Sequence, residues 1–326
     1  MPIHVHLPET YGPDNLTMLR GFVADDVQIS AGPDVPADCD ILVTGLPTVA
    51  QVEASPRLRA VIVPFTGVPP KTLDLLRRYP HIDLHNLHYN VVPTAEMALA
   101  LLFAATKFIV PMDRELRTGD WRSRYNATPV STFHGKTALI LGYGQIGQYL
   151  APALLALGMT VIGVRREPPA ASDDSAVTVY PPGALHELLP RADFLVNALP
   201  LTHETRGIIG AAELALLPSG AVVVNIGRGQ TMDEEALYLA LRDGVIRAAG
   251  IDVWYTYPQE EADRPHTLPS NFPFHELDNV VMSPHHGGAY GVAFTEQHRV
   301  DDLARLLNAA IRGEPIPNRF DLSAGY

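Results

Sequence analysis

The stretch Leu139-Ile140-Leu141-Gly142-Tyr143-Gly144-Gln145-Ile146-Gly147 decides the fold class. An apolar strand ends here, and three glycines follow in the spacing GxGxxG at the mouth of a helix. Gly142 permits the tight turn, Gly144 lets backbone N–H groups approach a pyrophosphate, and Gly147 allows close packing of helix on strand. The helix N-terminus adds partial positive charge for the phosphates. Alone the spacing is weak. Here a strand precedes it and another strand candidate follows the helix, so it reads as a dinucleotide-binding turn that takes Tyr143, Gln145 and Ile146 with it. Pro152 falls inside that helix, where it must kink the rod or remove a hydrogen bond.

Working outward, apolar runs alternate with helical stretches, the pattern of a parallel α/β protein. Strands are expected at 137–141, 160–164, 194–197, 221–225, 248–252 and 279–282, which suits one doubly wound sheet. Upstream, strands at 3–7, 40–44 and 59–64 and helices at 15–22 and 70–79 build a smaller lobe. A single long apolar helix at 93–117 is expected to connect the two, ending at Thr118-Gly119-Asp120. A last helix at 293–312, stopped by Gly313-Glu314-Pro315, should pack back onto the first lobe, which is too small to complete itself. The division is thus 1–92 with 293–326, and 93–292. Segments 168–174 and 255–271 read as irregular.

Length and composition agree. The 326 residues suffice for two domains of roughly 150 residues each, and 47% hydrophobic against 18% charged residues can build real cores. A net charge of −12 argues against nucleic acid or an acidic membrane surface as partner. Cys39 is the only cysteine, which excludes an intrachain disulfide and a CxxC site. The opening residues lack a signal-peptide pattern, and no run of about 18 apolar residues appears, so a soluble cytoplasmic protein with no membrane partner is expected. His4, His6, His81, His85 and His88 lack the spacing of a metal site, and no metal is expected.

At the end of the second strand of the large lobe, an acid about 20 positions beyond the glycines would grip the ribose hydroxyls. Val164-Arg165-Arg166 stands there instead, Arg165 eighteen residues after Gly147. Guanidinium groups pair with a 2′-phosphate, so the pair favours NADP over NAD, which stays possible; it would also serve as an exposed basic turn. Four further segments follow strands, at the ends where open α/β sheets place their crevice. They are Leu199-Pro200-Leu201-Thr202-His203-Glu204-Thr205-Arg206, Val224-Asn225-Ile226-Gly227-Arg228-Gly229, Gly250-Ile251-Asp252-Val253-Trp254 and Ser283-Pro284-His285-His286-Gly287-Gly288.

Together these segments resemble the D-isomer-specific 2-hydroxyacid dehydrogenases, a family that also holds formate, phosphite and glyoxylate/hydroxypyruvate enzymes. In the first lobe, Pro64-Phe65-Thr66-Gly67-Val68 is similar to the family's substrate loop, and Asn90-Val91-Val92-Pro93-Thr94-Ala95-Glu96 to its interdomain crossing. The resemblance implies a Rossmann cofactor domain and a smaller flavodoxin-like substrate domain. It implies Arg228 as the guanidinium anchoring the substrate carboxylate and carbonyl, and His285 as the general acid/base. Thr66, Gly67 and Val68, with Phe65 and Asn90 beside them, would face the carboxylate. Thr94, Leu199, Pro200, Thr205, Ile226, Gly227, Gly287 and Gly288 would line the cofactor crevice, and Asp252 would hydrogen-bond the nicotinamide carboxamide. Family members are commonly homodimers through the cofactor-domain side and the connector. The apolar stretch 93–110 fits that, as would a helix buried between lobes.

One position departs from the pattern. The family places Glu immediately before a Pro after the Asp-Val pair, and that Glu hydrogen-bonds the catalytic histidine. Here Tyr257 precedes Pro258. A phenol supplies little of the charge that would favour imidazolium, so His285 is expected to titrate lower and carbonyl reduction to shift toward acid pH. Alternatively a carboxylate from 260–263 reaches in, or the substrate differs. The leading expectation is an NAD(P)-dependent enzyme passing hydride between cofactor and a small 2-oxo or D-2-hydroxy acid. Oxidation of an anion such as formate or phosphite, or cofactor sensing without catalysis, are the alternatives.

Overall fold

The computed structural model describes residues 2–8, 13–126, 130–168 and 176–322. They divide into two units, Met1–Asn90 with Ala289–Tyr326, and Val91–Gly288. These divisions fall two and four residues before the 92/93 and 292/293 boundaries expected from sequence.

The first unit opens with β1 (Ile3–Leu7), α1 (Pro13–Phe22), β2 (Val27–Ala31), β3 (Ile41–Val43), α2 (Val49–Glu53), β4 (Ala60–Val63), α3 (Pro70–Leu76) and β5 (Asp83–Asn86). Its strands are all parallel in the order β2-β1-β3-β4-β5, the flavodoxin-like arrangement. Residues of β1, β3 and β4 are buried throughout, because helices cover both faces of such a sheet. Sequence reading missed β2 and β5. Strand β2 is a half-exposed edge, and β5, Asp-Leu-His-Asn, carries a single aliphatic residue.

The second unit runs α4 (Val91–Thr106), α5 (Ile109–Arg117), α6 (Arg122–Tyr125), β6 (Thr137–Leu141), α7 (Gln145–Ala156), β7 (Thr160–Val164), β8 (Val177–Tyr180) and α8 (Leu185–Leu188). It continues with β9 (Phe194–Asn197), α9 (Ala211–Leu216), β10 (Val222–Asn225), α10 (Glu234–Arg242), β11 (Ala248–Ile251) and β12 (Val280–Met282). The parallel order is β12-β11-β10-β9-β6-β7-β8. Strand order therefore reverses at β6, and the switch point between β6 and β9 is where an open α/β sheet leaves its crevice. Alternate residues of β6 face opposite cores. Ala138 and Ile140 pack with Leu102, Leu150 and Leu154, and Leu139 and Leu141 with Leu188, Leu214 and Leu237. Strand β8 was not foreseen; of the irregular stretch expected at 168–174, all but Pro168 lies outside the described residues.

The single connector helix expected at 93–117 is corrected to two, α4 and α5, bent by 63°. Phe108 between them is left-handed, with φ 52°. Pro111 explains the break. Inside a continuous helix it would lack the N–H owed to Lys107 and clash with the preceding turn, whereas in the first turn of α5 no such bond is required. Helix α7, by contrast, is continuous across Pro152, which has no N–H to give to the preceding turn. Among the described residues no single helix is long and apolar enough to cross a membrane; α4 and α5 as a bent pair meet the length and composition, and half of α4 is buried in the core. The final helix, α11 (Ala293–Ile311), belongs to the first unit. Its Val300, Leu303, Ala304 and Leu307 form the i, i+3, i+4, i+7 stripe that packs on Val5, Leu19 and Ile62.

Candidate active site

Two glycines of the β6–α7 turn have a steric reason within the chain itself. Gly142 has φ +84°, and a Cβ there would stand 2.8 Å from the Ala198 carbonyl oxygen beyond β9. A Cβ on Gly147 would meet Ile140 Cγ2 at 3.0 Å, so helix and strand touch here. Gly144, the N-cap of α7, has nothing within 4 Å of that position, and no side chain caps the helix. Open space in front of uncapped N–H groups is what a pyrophosphate requires. Tyr143 turns inward: its ring lies against Gly163, leaving only its backbone to the turn. Ile146 leans into the same core, and Gln145 is exposed.

Past the end of β7, the Arg165 N–H bonds the Tyr180 carbonyl and its guanidinium has no partner among the described residues. Arg166 Nη2 donates to Glu204 Oε2 at 2.9 Å, tying the basic pair to the loop after β9. That loop is closed by Thr205, whose Oγ1 donates to the Pro200 carbonyl at 2.6 Å. A Cβ on Gly227 would lie 2.5 Å from the Leu199 carbonyl oxygen, so the loops beyond β9 and β10 meet backbone to backbone. Ile226 and Thr94 are buried.

Arg228 leaves the end of β10 in extended conformation, held from below by a buried polar network. Its carbonyl accepts from Thr231 Oγ1 at 2.6 Å and Asn225 Nδ2 at 3.3 Å, and Asn197 Nδ2 donates to Asn225 Oδ1 and Thr231 Oγ1. The half-buried guanidinium donates once, to the Gly227 carbonyl at 2.6 Å. No carboxylate pairs with it among the described residues. Burial presses its pKa down and nearby Tyr257 counters this, yet a guanidinium stays charged.

His285 sits on a strained turn with φ +58°, a left-handed conformation that a non-glycine residue keeps only when its surroundings impose it. The surroundings are visible. Asp252, buried at the end of β11, accepts from Ser283 Oγ at 2.6 Å, His286 N at 2.8 Å and Gly287 N at 2.9 Å, and Trp254 Nε1 donates to the Ser283 carbonyl at 2.7 Å. The turn that carries His285 thus takes most of the Asp252 carboxylate's capacity, where sequence pointed to a nicotinamide carboxamide. Tyr257 Oη lies 2.9 Å from His285 Nδ1 and accepts from Trp254 N at 2.9 Å. Partial desolvation and the charge of Arg228 lower the His285 pKa, and Asp252 opposes them. Burial raises the Tyr257 pKa. No residue of 260–263 bonds to His285; Glu261 pairs with Arg264.

His285 and Tyr257 open onto a cavity of about 630 Å³, lined also by Trp254, Arg264, Met282 and Pro284. In the first unit, the Thr66 hydroxyl donates to Asn90 Oδ1, and Asn86 Nδ2 to the Thr66 carbonyl at 2.6 Å. These side chains fix the Phe65–Val68 loop, and the Phe65 ring fills the space where Gly45 would carry a Cβ. Sequence reading overlooked Asn86, Asn197, Thr231 and Trp254. Asn86 and Asn197 end strands on the side of the ligand crevice, the one signal that could have flagged them.

Residues 99–287 match the model of the D-isomer specific 2-hydroxyacid dehydrogenase, NAD binding domain. The chain belongs to the D-isomer specific 2-hydroxyacid dehydrogenase family. It is 33% identical over 300 residues to a glyoxylate reductase of Korarchaeum cryptofilum, covering 86% of this chain and 82% of that one. To a D-3-phosphoglycerate dehydrogenase of Mycobacterium leprae it is 34% identical over 304 residues, 90% of this chain but 54% of the relative, so it spans about half of that protein. A crystal structure of a D-isomer specific 2-hydroxyacid dehydrogenase from Xanthobacter autotrophicus, in complex with NADPH and MES, superposes over 100% of both chains with a TM-score of 0.80 and 25% identity. An NADPH-dependent glyoxylate/hydroxypyruvate reductase from Sinorhizobium meliloti, 22% identical over 99% of this chain and 100% of that one, shares the fold with a TM-score of 0.79.

Proposed function

We propose that this family member is an NAD(P)-dependent oxidoreductase acting on a small 2-oxo or D-2-hydroxy acid, with reduction by NADPH as its main direction. The observation that carries the reading is the Arg228 guanidinium, half-buried, unpaired by any described carboxylate, and near enough to His285 for its charge to lower that histidine's pKa. Withdrawing a cation from water without a counter-charge costs several kcal/mol, on the order of what a bound anion returns. A 2-oxo acid offers both a carboxylate and a carbonyl oxygen to such a fork. His285 Nε2, which has no partner among the described residues, is placed to exchange a proton with the carbonyl oxygen. The glycine turn fits the pyrophosphate of a dinucleotide by the open space at Gly144, and the nicotinamide of such a cofactor would supply or accept the hydride.

Arg165 and Arg166 favour the 2′-phosphate of NADP, in keeping with the NADPH named for the Xanthobacter and Sinorhizobium structures. The one cysteine, Cys39, is a free buried thiol, in keeping with a reducing compartment such as the cytoplasm. A homodimer is part of the reading, since α5 has no buried residue although it carries Ile109, Val110 and Leu116. Steady-state kinetics with NADPH and NADH against glyoxylate, hydroxypyruvate and larger 2-oxo acids, with formate and phosphite as oxidisable controls, tests the whole. Consumption of NADPH by a 2-oxo acid is expected. Cofactor binding without turnover of any of these would make the chain a sensor instead.

A further inference from the structure

A chain of three hydrogen-bonding groups gives the proton at His285 a direction. A backbone N–H only donates, so the contact from Trp254 N makes Tyr257 Oη an acceptor. The phenol's own proton then has one partner among the described residues, Nδ1 of His285 at 2.9 Å. Donation to Nδ1 needs that nitrogen unprotonated, which puts the ring proton of neutral imidazole on Nε2. Imidazolium would set a second N–H against the phenol and turn the phenolic proton away from the ring. The charged and titratable groups facing the ring are Tyr257, Arg228 and Asp252, and Tyr257 faces the same Arg228 and Asp252. A carboxylate at position 257 would do the reverse, accepting from Nδ1–H and favouring imidazolium.

We propose that Tyr257 is a positioning residue that holds His285 as the neutral Nε2–H tautomer and replaces its proton from the opposite side. The idea rests on the oxidoreductase reading and deepens it. In reduction the carbonyl carbon gains a hydride, the Nε2–H bond breaks, and an O–H bond forms on the substrate oxygen. At the same time the Tyr257 O–H bond breaks and an Nδ1–H bond forms. The imidazole ends neutral, and the phenolate is held by the Trp254 N–H and the positive charge of Arg228 until water returns a proton to it. Such a donor is present wherever the imidazole is neutral. The acid shift expected from sequence follows only if imidazolium is the donor. Oxidation of a hydroxy acid starts from the opposite proton placement, with phenolate present, and so gains with alkaline pH.

Two measurements test this. Nitrogen-15 NMR of the cofactor-free chain reads the tautomer, with the His285 signal assigned by its loss in His285→Asn. Nε2–H is expected in the native chain near neutral pH, and a mixture of tautomers in Tyr257→Phe. The pH profile of kcat reads the donor: reduction flat between about pH 6.5 and 8.5, from the pKa of ordinary histidine upward and short of that of free phenol, with oxidation rising toward the alkaline end. In Tyr257→Glu, reduction should instead fall above a pKa higher than that of ordinary histidine. An Nδ1–H ring in the native chain, or native reduction that falls as pH rises through a histidine pKa, overturns the proposal. So does a Tyr257→Phe chain with unchanged tautomer and kcat. Absence of turnover with every 2-oxo acid removes the oxidoreductase reading and the relay with it, whereas turnover with an Nδ1–H ring removes the relay alone.

Discussion

At the scale of single residues, the turns that carry Arg228 and His285 are held by groups outside the proposed proton path, and this separates the effects of substitution. Arg228→Ala removes the fork that would meet the substrate while its backbone anchors, Asn197, Asn225 and Thr231, remain. Loss of about 10²–10³ in kcat/KM is expected, comparable to removing one strong transition-state donor, with NADPH affinity by fluorescence titration nearly unchanged. Asp252→Asn acts differently. An amide oxygen keeps part of the role, but its NH2 end faces donors that the carboxylate satisfied, Ser283 Oγ, His286 N and Gly287 N. A cost of about 1–3 kcal/mol for unsatisfied buried groups should appear in urea unfolding together with a fall in kcat. If stability is kept and only KM for cofactor rises, the carboxylate serves the carboxamide after all. Glu204→Gln frees Arg166 from an exposed ion pair worth about 0–1 kcal/mol. Stability should hold while KM for NADPH drops and that for NADH does not; equal change in both would remove the 2′-phosphate role. Arg228 and His285 were legible in the sequence because each follows a strand inside a recognisable motif. Their supports were not, since Asn197 at the end of β9, Thr231 beyond β10 and Trp254 beyond β11 are brought together only by the folded sheet.

The same contrast holds at the scale of elements. Strands β6, β7 and β9 were read at their observed limits, because buried parallel strands appear as continuous aliphatic runs. Edge strands β2 and β8 and the polar β5 gave no such run, and their pairing depends on neighbours distant in sequence. Helices α4 and α5 share one largely apolar stretch of sequence, and what divides them is Pro111, whose effect depends on which turn it occupies. The loops at the carboxyl ends of β9, β10 and β11 pack backbone on backbone, and there glycine is a structural requirement. A Cβ on Gly229 would stand 2.4 Å from the Trp254 carbonyl oxygen, and neither partner is a flexible side-chain tip. Gly229→Ala should therefore push the Arg228 loop away from the β11 turn and destabilise the fold by about 1–3 kcal/mol. A urea midpoint unchanged from the parent chain would show that the two loops separate without cost.

At the scale of the whole molecule, what a single chain leaves uncovered bears on assembly. Helix α5 has an apolar side with no buried residue, and the exposed Ile109, Leu116, Trp121 and Tyr125 lie close together in sequence. Scattered exposed apolar residues are ordinary, but large ones concentrated in one short segment mark an interaction surface. A second copy of the chain can cover such a patch with the same patch, the self-complementary arrangement of a two-fold dimer. The salt bridges α5 makes, Arg117 with Asp113 and Arg114 with Asp278, are exposed and contribute little, so packing has to supply the affinity. Replacing Ile109 and Trp121 together by Glu places two carboxylates on each side of that interface. Sedimentation equilibrium is expected to report a dimer for the parent chain and a monomer for the substituted one, with circular dichroism showing the fold retained. Since neither residue belongs to the second unit's core, a doubly substituted chain that stays dimeric would move the interface to another face. A parent chain that is monomeric at micromolar concentration would leave the apolar side of α5 without a second copy to cover it.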